Sequence, residues 1–103
     1  MTMPPCLLNH ITRERLEKIV ETVCAEYGVD RNEVFSGARP SVIVEARHVA
    51  MFVSPGSTVW LGQQFGRDHS SVVHARRKIR DWCDVYPDFK AKIEKLKEKI
   101  QQA

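Results

Sequence analysis

Between Asp68 and Lys78 the chain gathers a carboxylate, two hydroxyls, two imidazoles and three cations: Asp68, Ser70, Ser71, His69, His74, Arg76, Arg77 and Lys78. Three chemistries are open to such a set: nucleophilic hydrolysis, metal binding and recognition of a polyanion. Asp68-His69-Ser70 has the residue types of a hydrolase triad, but consecutive helix residues cannot form the required relay. His69 and His74 are five apart and fall on different faces of a helix, and no Cys or carboxylate joins them at ligand spacing. A phosphate-cradling G-x-x-x-x-G-K-[ST] is absent. No catalytic residue, metal or cofactor is therefore expected. Recognition of negative charge remains.

The elements that must position these residues follow from spacing. Val72, Ala75, Ile79 and Trp82 recur at steps of three, four and three, which makes one apolar face of a helix opened by Asp68. Ser70, Ser71, His74, Arg77 and Lys78 are left outside. Upstream, Ser57 or Thr58 caps a short helix over Val59–Phe65, closed by Gly66. Two helices meeting across Gly66-Arg67 make a turn of the helix-turn-helix kind. The second helix of such a pair suits the DNA major groove, read mostly from its N-terminal turn. Asp68, His69, Ser70 and Ser71 occupy that turn, where free N–H groups and the helix dipole also favour a phosphate.

The rest of the chain also reads as helical. Residues 1–11 form an extended lead-in. Thr12 caps a helix striped by Leu16, Ile19, Val20, Val23 and Tyr27 and stopped by Gly28; Asp30 caps a second, short helix through Phe35. Ser36 to Pro40 is a loop. Ser41 to Val53 is apolar on more than one face and is expected to be the central buried helix, although Val42-Ile43-Val44 also suits a strand. Pro55-Gly56 ends it. After Tyr86-Pro87 a last amphipathic helix carries Phe89, Ile93, Leu96 and Ile100 at steps of four, three and four. Such a seam packs on its own domain or pairs in a homodimer. The expected architecture is an all-α helical bundle over residues 12–82, with a C-terminal amphipathic helix over 87–103.

One hundred and three residues leave room for a single core. The net charge of +3 is small but unevenly placed: residues 1–34 carry −2, residues 35–82 carry +4 and residues 83–103 carry +1. A concentrated basic element attracts polyanions even when the total is modest. No apolar run approaches the roughly 20 residues a membrane span needs, and Met1 to His10 lacks the form of a secretory signal. Cys6, Cys24 and Cys83 are an odd set without C-x-x-C, in keeping with idle thiols in a reducing compartment. A cytoplasmic, nucleoid-associated location is expected, with no membrane partner.

The run Gly66-Arg67-Asp68-His69-Ser70-Ser71-Val72-Val73-His74-Ala75-Arg76-Arg77-Lys78-Ile79 closely resembles the signature of the C-terminal DNA-binding domain (domain IV) of the bacterial replication initiator DnaA family. Ala46-Arg47-His48-Val49-Ala50-Met51 and Leu61-Gly62-Gln63-Gln64-Phe65-Gly66 look like two further motifs of that family. The resemblance covers about residues 12–82. It implies a fold similar to the Trp-repressor-like helical domains, with duplex DNA as partner, at DnaA boxes in the family's case. It further implies that His69, Ser70 and Ser71 meet base edges and thymine methyls, and that Asp68 accepts from a base amino group. Arg39 matches a loop that sends an Arg into the minor groove. Arg47, with His48 beside it, matches a backbone- and groove-contacting Arg. His74, Ala75 and Lys78 match positions near the groove wall and phosphates.

The sequence departs from that pattern in several places. Arg39 is the lone cation in a loop usually rich in them, Ser70-Ser71 replaces Thr-Thr, and the connection after the central helix is shortened to Ser54-Pro55-Gly56. The family's ATPase domain has no counterpart in these residues; with Met1 and a distinct lead-in, the expectation is a small natural protein that reads DNA in replication control or transcription regulation. Arg39, Arg47, Arg67, Arg77 and Lys78 would supply about five phosphate or groove contacts, and a log–log salt slope of about −4 to −5. The alternative is a protein-interaction or dimerisation module that uses the C-terminal helix and has only non-specific DNA affinity.

Overall fold

The computed structural model describes residues 12–36 and 40–102. The lead-in over residues 1–11, Cys6 and Arg39 lie outside the described residues. Six helices follow in order among those described: α1 (Arg13–Tyr27), α2 (Arg31–Phe35), α3 (Ser41–Val53), α4 (Thr58–Gln64), α5 (His69–Val85) and α6 (Pro87–Gln102). The chain is all-α, as the periodicity indicates.

Side-chain caps set the starts. The Thr12 hydroxyl accepts from the Arg15 N–H at 3.1 Å, Asp30 from Asn32 at 3.0 Å and Ser57 from Trp60 at 3.1 Å, each satisfying an amide that a helix start leaves unpaired. Gly28 ends α1 in the left-handed region, at φ 66°. The segment with strand-like Val42-Ile43-Val44 is wholly helical. It is buried at Ile43, Ala46, Arg47, Val49, Ala50 and Met51, so its apolar residues serve a helix enclosed on several sides. Helix α5 runs three residues past Trp82, to Val85. The apolar stripe has thinned there, but only Pro87 forces a break.

Helix α3 forms the floor of the molecule, with α5 as its most extensive neighbour; α4 lies on α5, and α1 on α3. Leu16, Val20, Val23, Val49, Ala50, Leu61, Val72 and Ile79 join in one core and are fully enclosed. Cys24 sits at its edge as a free thiol that burial pushes up to about 11, so it is inert at neutral pH.

Helix α6 closes this core. Ile93 and Leu96 are 1% exposed and Ile100 7%. Phe89 meets Trp82 edge-on at 5.5 Å, Lys99 pairs with Glu26, and Arg15 donates to the Ile100 carbonyl at 2.9 Å. Of the two outlets expected for the seam of Phe89, Ile93, Leu96 and Ile100, a homodimer or its own domain, the described residues fill the second: the seam packs on α1 and α5. Trp60, Phe52 and Trp82 pack partly buried against the core, and Met51 and Phe65 lie within it.

Candidate nucleic-acid interface

The turn between α4 and α5 is built by two glycines with different tasks. Gly66 takes the left-handed conformation at φ 63°. The Gly66 N–H donates to the Gln63 carbonyl at 3.2 Å and the Arg67 N–H to the Gly62 carbonyl at 2.7 Å. This pair of bonds is a Schellman motif, which ends α4 and turns the chain sharply. Gly62 is needed for space: a Cβ there would stand 2.7 Å from the Arg67 carbonyl oxygen and 3.2 Å from the His69 nitrogen. The backbone leading into α5 therefore lies directly on α4. From α1, Arg13 donates to the Gln64 carbonyl and side chain at 3.2 and 3.0 Å, and its guanidinium lies over Phe35, which stacks on Phe65.

Asp68 then caps α5, with Oδ1 accepting from the His69 N–H at 2.9 Å and Oδ2 from the Ser70 hydroxyl at 3.2 Å. The His69 imidazole Nδ1 lies 3.2 Å from the same carboxylate. Asp68, His69, Ser70 and Ser71 are all exposed, as are His74 and Arg77. Lys78 is half-buried, its amine 5.0 Å from the Trp82 ring centre.

Facing this side of α5 across a groove of about 830 Å³ is α3. Val44, Arg47, His48 and Met51 line one wall, and Arg67, Ser70, Ser71 and His74 the other. His48 is half-buried with Nδ1 unpartnered. Burial, then Lys78, Arg47, His74 and Arg67, holds its imidazole below the ordinary value. The groove is therefore basic, and His48 rests neutral beside fixed cations.

Ala75 is corrected as a contact residue, and Arg47, which lines the groove, has a second task. Ala75 has no exposed surface and packs in the core, because it lies on the same face as Val72 and Ile79; a groove-wall contact is closed to it. Arg47 is 4% exposed. Its guanidinium donates to the carbonyls of Val34 at 2.8 Å, Ser36 at 2.9 Å and Glu33 at 3.3 Å. These carbonyls belong to the last turn of α2 and its C-cap Ser36, so Arg47 fastens the end of α2 to α3 and adds charge to the groove. The structure gathers Arg67, Asp68, His69, Ser70, Ser71, His74, Arg77, Lys78 and His48 on one side.

Two features were missed in the sequence. Val44 and Met51 give the groove an apolar floor. Arg76, on the packed side of α5, donates to the carbonyls of Met51 at 3.1 Å, Ser54 at 3.0 Å and Gly56 at 3.1 Å. Its position on the apolar side of the stripe is the available signal, since a cation there must find carbonyls. Among the described residues no group of three or more His, Cys, Asp or Glu could hold a metal ion, and no helix is long and apolar enough to cross a membrane.

The family model described as the bacterial dnaA protein helix-turn-helix matches residues 16–79. The chromosomal replication initiator protein DnaA of Rhizobium meliloti is 37% identical over 107 residues, covering 93% of this chain and 22% of the relative. That of Mesorhizobium japonicum is 41% identical over 86 residues, covering 73% and 18%. The chain thus spans about a fifth of the length of these curated relatives. A solved structure titled as a DNA replication initiation factor superposes with a TM-score of 0.77 at 29% identity, over 85% of this chain and 28% of that one.

Proposed function

This chain belongs to the bacterial DnaA helix-turn-helix family, and from that premise we propose that it binds duplex DNA sequence-selectively, with α5 in the major groove. The observation that carries the reading is the α5 N-terminal turn: Asp68, His69, Ser70 and Ser71 are all exposed at the mouth of a basic groove. His69, Ser70 and Ser71 read base edges, and Asp68, already holding the cap, accepts from a base amino group with its remaining lone pairs. Arg67, Arg77 and Lys78 meet phosphates, and His48 and His74 line the approach between α3 and α5. Arg39 is carried as a minor-groove contact from its loop. The targets are DnaA-box-like sites, and the effect is occupancy in replication control or transcription regulation, on the nucleoid in the cytoplasm.

The buried seam of α6 weighs against the protein-interaction alternative. Withdrawing Arg47 from the phosphate contacts leaves about four cations, so log affinity should fall against log salt with a slope of roughly −3.5. Fluorescence anisotropy of a DnaA-box duplex across a salt series tests this. The absence of binding at every salt concentration would overturn the reading.

A further inference from the structure

The geometry points to Arg76 as a positioning residue that sets the spacing of α3 and α5, and with it the shape of the groove. This rests on the DNA-reading function above. Three observations carry it. First, the Arg76 guanidinium spans both partners of the groove: it leaves α5 and donates to Met51 in the last turn of α3, then to Ser54 and Gly56 in the connection to α4. Second, the clamp adjoins the groove. Met51 is one turn beyond His48 on α3, and Arg76 is two residues beyond His74 on α5, while Met51, His48 and His74 all line the groove. Third, the connection it grips is only Ser54-Pro55-Gly56, so fixing its carbonyls also fixes where Ser57 caps α4.

A planar fork with several fixed N–H donors can hold three carbonyls at once, which an ammonium on a flexible stem cannot do with the same geometry. Arg76 is turned towards these carbonyls and away from the Ser70 and Arg77 side, so it touches no phosphate. It acts on recognition through His48, His74 and the α4–α5 unit.

The test compares Arg76→Lys and Arg76→Met with the unaltered chain. Affinities for a DnaA-box duplex and for a scrambled duplex are measured across salt, alongside thermal unfolding and the imidazole NMR signals of the free protein. The Lys variant keeps the charge, and it guards against a Met variant that fails to fold. Expected for Arg76→Lys are a loss of about tenfold in box affinity, little change on scrambled DNA and an unaltered salt slope; a lost phosphate contact would lower that slope by roughly one. In the absence of DNA, the His48 and His74 signals should move while that of exposed His69 stays. Equal losses on both duplexes, full rescue by Lys, or a lowered Tm with unmoved His48 and His74 signals would each overturn the assignment. If the unaltered chain binds no DNA, the DNA-reading function fails, and the imidazole signals still decide the clamp.

Discussion

Arg47 and Arg67 converge on one atom: both guanidinium groups donate to the Ser36 carbonyl oxygen, at 2.9 and 3.4 Å. One cation comes from the buried face of α3 and the other from the turn that leads into α5. The end of α2, the central helix and the helix-turn-helix are thereby tied at a single point beside the groove. The like charges do not favour this approach, and Arg67 contributes to lowering the Arg47 pKa after burial itself. An added polyanion would relieve that repulsion.

Removing the buried member of this pair takes the guanidinium donor from the Val34 carbonyl, while Glu33 keeps the Ser36 N–H and hydroxyl and Ser36 keeps Arg67. Arg47→Met should lower unfolding free energy by roughly 2–4 kcal/mol, the cost of losing charge-assisted bonds to part-buried acceptors. Arg67→Met, at an exposed site, should cost less than about 1 kcal/mol in stability. Urea unfolding of the two variants checks the contrast.

The two glycines of the turn should fail in different ways. Gly62→Ala forces its Cβ to 2.7 Å from the Arg67 carbonyl, so α4 and the start of α5 must part, at roughly 1–3 kcal/mol. Gly66→Ala meets no atom within 4 Å and pays only for its positive φ, about 1–2 kcal/mol. Thermal unfolding reads both penalties, and DNA affinity should fall further for Gly62→Ala.

His48 gives stability and DNA affinity opposite responses to acid. Its folded pKa lies below the ordinary value, so the unfolded chain binds more protons between the two pKa values. Its contribution to stability is complete above about pH 6.5 and is lost as pH falls through the folded pKa. Bound phosphates would raise the same pKa, so affinity should strengthen over the acidic window while stability weakens. His48→Gln should remove His48's share of both slopes, measured by urea unfolding and anisotropy as a function of pH.

The seam of α6 belongs to the fold. Leu96→Ala should cost roughly 2–4 kcal/mol by leaving a cavity among buried neighbours. Sedimentation of the unaltered chain should give a monomer independent of concentration. A mass that rises with concentration and is abolished by Leu96→Ala would contradict this.

Most of the fold was legible in the residues, because helix periodicity and capping are local. The stripe of Val72, Ala75, Ile79 and Trp82, the caps at Thr12, Asp30 and Asp68 and the stop at Gly28 all act within a turn or two. Partnership across the structure was less legible. Arg47 carries the same charge whether it faces a phosphate or three backbone carbonyls, and only the placement of α2 against α3 decides which. Ala75 lies on the stripe that fixed its burial, so the spacing already argued against contact. The α6 seam had two physically equivalent outlets until Phe89 and Leu96 were seen against α5 and α1. Gly62 shows its reason only when Arg67 and His69 are brought on top of it.

The claim that the α5 N-terminal turn reads sequence is tested most directly by one ratio: affinity for a DnaA-box duplex over affinity for a scrambled duplex of equal length at fixed salt, with and without His69→Ala. The account predicts a preference of about 10³ or more for the box, reduced about tenfold by His69→Ala through the loss of one base contact. Equal affinity for both duplexes, unaltered by His69→Ala, would contradict it.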